Sequence, residues 1–101
     1  RHRDVSKAFY GVVNEVLGRL PVAEDAVPSM AADVAVRIDD AIQSRLVVDW
    51  RTNADRQNEM RNAIDDLLYD VKSESGLALS VEDMDAIIER SLDIAKNRYA
   101  R

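Results

Sequence analysis

Apolar residues recur at three-and-four spacing through most of the chain, and a period near 3.6 residues predicts helices. Val5, Ala8, Phe9, Val12, Val13, Val16, Leu17 and Leu20 fall on one face of a first helix, which Asp4 is placed to cap and Pro21 to end. A second set, Met30, Val34, Ile38, Ala41 and Ile42, follows Pro28 and Ser29, residues suited to a helix start, and fades near Leu46. Thr52 or Asn53 can cap a third helix with the stripe Gln57, Met60, Ile64, Leu67, Leu68 and Val71, and Gly76 supplies a stop. The fourth opens on Ser80 and Asp83, an approximate capping box, and carries Val81, Met84, Ile88, Leu92, Ala95 and Tyr99, widened by Ile87 and Ile94. No stretch alternates long enough to be a strand. Short to moderate connections favour antiparallel neighbours, so the expected fold is all-α: a compact bundle of about four antiparallel helices forming one domain over 1–101.

Composition adds limits. With 47% apolar and 33% charged residues the chain is too hydrophobic to be disordered, and no apolar run approaches the roughly 18 residues needed to span a bilayer, so no membrane partner is expected. There is no cysteine, hence neither a disulfide framework nor a thiolate nucleophile, and a cytoplasmic location is the expectation. The first residue is arginine and no leader pattern follows it, so the chain reads as a piece of a longer protein.

Candidate chemistry is sparse. A phosphate loop needs clustered glycines followed by lysine, but Gly11, Gly18 and Gly76 stand apart and precede Val12, Arg19 and Leu77. His2 is the only histidine, so no histidine pair or Ser-His-Asp set can be assembled from this chain. Asp83 and Asp85 begin like a calcium loop, yet Ala86, Ile87 and Ile88 follow where a glycine turn and oxygen ligands are required. Asp70 and Lys72 have the acid-x-lysine spacing of strand-borne nuclease sites, but on a helix they diverge by about 160°. Asp39 with Asp40, and Asp65 with Asp66, read as solvated faces, with Asp33 to Arg37 and Arg61 to Asp65 as helical ion pairs. Catalytic, cofactor and metal residues are therefore expected to be none.

The third helix's apolar stripe leaves Asn58, Asn62, Asp65, Asp66 and Tyr69 together on its far side. A tyrosine there implies either a second packed layer or a partner. Trp50, just before this helix, either closes the end of the core or anchors a contact.

The stretch "VVDWRTNADRQNEMRNAIDDLLYDV", preceded by "DVSKAFYGVVNEVL" and followed by "GLALSVEDMDAIIERSLDIAKNRY", resembles the C-terminal region of the R subunit of type I restriction-modification enzymes. The likeness covers nearly the whole chain. Its most specific parts are Asp49-Trp50, Met60-Arg61-Asn62 leading into Ile64-Asp65-Asp66, and Met84 to Arg90. The resemblance implies a parent that is a DNA-translocating, ATP-hydrolysing endonuclease, with its ATP and Mg sites in upstream domains. It implies that this region catalyses nothing and joins the motor to a methyltransferase core of modification and specificity subunits. It places partner contacts on Trp50, Arg51, Asn58, Arg61, Asn62, Asp65, Asp66 and Tyr69.

An alternative rests on topology. In an up-down-up-down bundle one pole collects Arg1, Arg3, Lys7, Arg45, Arg51, Arg56, Lys96, Arg98 and Arg101 against fewer acids, Asp4, Asp49, Asp55 and Asp93. The other is acidic, with Glu24, Asp25, Asp33, Asp70, Glu74, Glu82, Asp83 and Asp85 against Arg19 and Lys72. A basic pole suits DNA phosphates or an acidic partner surface, although the net charge of -5 weighs against a general nucleic-acid affinity.

Overall fold

Among the described residues there are four helices, α1 (His2–Leu17), α2 (Val27–Gln43), α3 (Ala54–Ser75) and α4 (Val81–Arg98), with single 3-10 turns at Glu24–Ala26 and Trp50–Thr52. The structure, a computed structural model, describes residues 2–99 and the side chains of residues 6–99. There is no strand among the described residues, and the fold is all-α as expected. No helix among them is long and apolar enough to cross a membrane.

Local signals set most of the boundaries. Asn53 caps α3, its side-chain oxygen accepting the Arg56 N–H at 3.0 Å. Gly76 ends α3 in the left-handed region at φ 70°, donating its N–H to the Lys72 carbonyl at 2.8 Å. Ser80 and Asp83 form a reciprocal capping box at α4, each bond 3.0 Å long. The Ser80 backbone N–H, and after it the Ser80 side chain, hold the Asp83 carboxyl below its ordinary range, because hydrogen bonds to the carboxylate stabilise the ionised form. Pro28 lies in the first turn of α2, where a missing N–H costs nothing.

The first helix departs from expectation at both ends. It already includes Asp4, which is therefore not its cap, and it stops at Leu17, before Pro21. Arg19 and Leu20 donate to Val16 and Leu17, three residues back, so the last turn tightens and the helix ends on its own carbonyls.

Around the bundle, α1 packs on α2 and α4, and α3 on α2 and α4. The inner faces merge into one core whose largest fully buried members include Phe9, Leu17, Ile38, Ile42, Trp50, Met60, Ile64, Leu68, Ile87 and Leu92. Each such side chain contributes roughly 1.5–3 kcal/mol by leaving water. Leu77 and Leu79, in the α3–α4 connection, are buried as well and tie that loop to the core. Val81 is a correction. It lies on the expected face, but at the first helical position, one turn before Met84, and it stays 67% exposed.

Candidate functional site

At one end of the bundle the start of α1, the last turns of α2, the Trp50 turn and the end of α4 converge, as the up-down-up-down topology requires. Trp50 is fully buried there, and its indole N–H donates to the Tyr99 carbonyl at 3.0 Å. It closes the core, so of the two roles open to it the contact anchor is corrected. Asp49, before it, takes the left-handed conformation at φ 62°, which aspartate tolerates better than most residues, and this turns the chain so that the indole enters. Gln57 then fastens the turn to α3 by donating to the Trp50 and Arg51 carbonyls at 3.3 and 2.8 Å.

Asp39 is a second correction. It is only 4% exposed rather than solvated, and it accepts hydrogen bonds from the Ser6 hydroxyl at 3.2 Å and from the Tyr99 phenol. The Tyr99 phenol is pushed well above its ordinary pKa, first by burial and then by the Asp39 carboxylate that its proton bridges.

Of the six basic residues of this pole whose side chains are described, three are spent on internal acceptors. Arg51 donates to the Lys96 carbonyl at 2.9 Å, satisfying the α4 terminus. Arg45 folds back on the Ala41 carbonyl and the Ser44 hydroxyl at 2.9 and 2.8 Å. Arg56 pairs with Glu59 at 3.2 Å. Lys7 and Arg98 are exposed, and Lys96 is half-buried. Arg1 and Arg101 and the side chain of Arg3 lie outside the described residues.

The outer face of α3 is built differently. Asn58, Asn62, Asp66 and Tyr69 are exposed and Asp65 is half-buried. Tyr69, 52% exposed, meets the Lys72 ammonium 5.5 Å from its ring centroid, an i, i+3 cation–π contact. Arg61 turns toward α4, where Glu89 accepts at 2.9 and 3.2 Å, and it also donates to Asn58 on its own helix at 2.9 Å. The expected Arg61 to Asp65 pair is thus replaced by an inter-helix fork, whose planar bidentate geometry the intrahelical pair lacks. The Asp33 to Arg37 pair forms at 3.2 Å. Of the eight contacts that the resemblance implies, Asn58, Asn62, Asp65, Asp66 and Tyr69 share this face, Arg61 borders it, and Trp50 and Arg51 belong to the pole.

Beside this face runs an open groove of about 430 Å³, lined by Arg37, Ala41 and Arg45 of α2 and Ala63, Asp66, Leu67 and Asp70 of α3. Arg37 is held by Glu74 and Asp33, both at 3.2 Å, and these carboxylates raise its pKa above the ordinary guanidinium value, the Glu74 bond contributing most. The groove depends on how α2 and α3 abut, which helical periodicity along one chain segment does not show. No group of three or more His, Cys, Asp or Glu among the described residues is arranged to hold a metal ion. Comparison with family models, with curated proteins and with solved structures finds no match to this chain.

Proposed function

We propose that this is an assembly domain that binds protein, joining a DNA-translocating restriction subunit in the cytoplasm to the modification and specificity subunits of its methyltransferase core. The observation that carries this reading is the half-exposed Tyr69 ring on an outer face of α3, while α3 packs on α2 and α4 through its other faces. A tyrosine flanked by Asn62 and Asp66 offers a partner one apolar plate and several hydrogen-bonding groups without costing the core anything. Other faces are available to upstream domains of the same subunit, and ATP and Mg chemistry belongs to those domains.

The test is co-elution. The chain mixed with the methyltransferase core is expected to elute with it, the Asn62→Ala, Tyr69→Ala double variant to elute separately, and the chain mixed with DNA to elute alone. Elution with DNA and not with the core would favour the alternative, a backbone-contact module acting through the basic pole. That alternative draws on the convergence of helix ends around Trp50, but Arg45, Arg51 and Arg56 are already engaged there.

A further inference from the structure

The groove between α2 and α3 is lined by opposite charges, Arg37 and Arg45 on one side and Asp66 and Asp70 on the other, that do not pair with one another. On the α2 wall both cations are satisfied: Arg37 by two carboxylates, Arg45 by a carbonyl and a hydroxyl. On the α3 wall Asp66 and Asp70 are exposed, one helical turn apart, and neither has a hydrogen-bond or ion-pair partner among the described residues. Like charges at this spacing repel and weaken the helix that carries them. Between the walls, Ala41, Ala63 and Leu67 are half-buried and form a shallow floor of small apolar groups. Counting Asp33 and Glu74 with the lining, four carboxylates meet two guanidinium groups, so the groove is net negative; its floor is apolar, and it shares Asp66 with the outer face of α3.

We propose that this groove seats a basic helix of the partner protein, with two cationic side chains one turn apart on Asp66 and Asp70 and a small apolar residue on the Ala41, Ala63 and Leu67 floor. The proposal rests on the reading of the domain as a protein-contact module and adds what the partner must present. An acidic helix is disfavoured, because it would meet two unpaired carboxylates and gain only arginines already bonded. Side chains at i and i+4 of a helix stand one above the other, which matches the Asp66 and Asp70 spacing in register and direction. Lys72, held over the Tyr69 ring, lies farther along α3 and leaves the groove mouth unobstructed by its own charge.

Two probes test this on the intact chain. The first is a synthetic helical peptide with lysines at i and i+4 beside alanine and leucine, and its glutamate counterpart, followed by amide chemical shifts. The lysine peptide is expected to move the amides of Ala41, Ala63 and Leu67, the glutamate peptide to leave them, and the Asp66→Asn, Asp70→Asn variant to lose the response. Shifts centred on another face, or unchanged in that variant, overturn the proposal. The second probe is the methyltransferase core: the double variant should bind about tenfold more weakly at low salt, with a flatter salt dependence. Full-strength binding by the double variant, with Tyr69→Ala abolishing it, removes the groove and retains the α3 face. Seating of the lysine peptide without any binding to the core retains the groove and removes the assembly reading. Self-association of the chain that Asp66→Lys abolishes assigns the groove to a second copy and overturns the basic partner helix.

Discussion

The pole around Trp50 and the outer face of α3 draw on the same residue types and use them in opposite ways. At the pole Trp50, Tyr99 and Asp39 turn inward and complete one another: indole to carbonyl, phenol to carboxylate, with the Ser6 hydroxyl as a further donor. On α3 the ring of Tyr69 meets Lys72, while Asn62 and Asp66 have no hydrogen-bond or ion-pair partner among the described residues. The difference is energetic. A polar group removed from water costs about 1–3 kcal/mol unless a partner replaces the lost hydrogen bonds, so the pole's groups are committed to holding the fold. Groups left in water carry no such obligation, and substitution can remove them without unfolding anything.

The sharpest break of this contrast is on the inner side of α3 itself. Ile64→Asp or Leu68→Asp would put an unpaired carboxylate into the core, at a cost of roughly 3–5 kcal/mol. Circular dichroism melts should show both variants unfolded or far less stable, and an unaltered melt would mean that these positions are not core.

A smaller loss is expected at the pole. Tyr99→Phe deletes the phenol that donates to Asp39 and leaves a buried carboxylate short of one donor, a loss of about 1–3 kcal/mol in denaturant unfolding. The same network sets an alkaline limit. The Tyr99 pKa is raised in the folded state, so its contribution is fully present below the unfolded value near pH 10 and is lost as pH climbs from there toward the folded value. Stability measured against pH should fall in that range for the natural chain and less steeply for Tyr99→Phe.

Ser91 sharpens the rule from the other direction. It is fully buried in α4 and its hydroxyl has no partner among the described residues. Ser91→Ala removes the orphan and improves helix propensity, so a gain of about 1 kcal/mol is expected, read as a higher denaturation midpoint. A loss would reveal a hydrogen bond to an ordered water.

The smallest expected effect lies on the outer face. Asn62→Ala combined with Tyr69→Ala should leave the melt within about 1 kcal/mol of the natural chain, because both positions are exposed. A larger loss would assign the face to internal packing and withdraw it from partner binding.

Much of this was legible beforehand, and the reasons are local. Asn53, Gly76, Ser80 and Asp83 act within four residues of themselves, so their roles follow from composition and spacing. The α3 stripe and its polar far side follow from helical periodicity. The misreadings share another cause: Asp39 looked like half of a solvated acidic pair, and Arg61 looked committed to Asp65. Their actual partners are Ser6 and Tyr99, 33 and 60 residues away, and Glu89, 28 residues away.

By itself, then, the sequence determined the helices, most of their caps, the apolar faces and the antiparallel order that brings four helix ends to one pole. These depend on interactions of a residue with its near neighbours and on the angle between side chains along one helix, which are independent of what lies opposite. Only the tertiary structure decided that Trp50 closes the core, that Asp39 is buried against Tyr99, and that Ala41, Ala63 and Leu67 floor a groove walled by Asp66 and Asp70. Burial is a property of the space between helices. Periodicity gives the direction in which a side chain points, while its depth and its partners are set by neighbours that the chain brings in from far along its length.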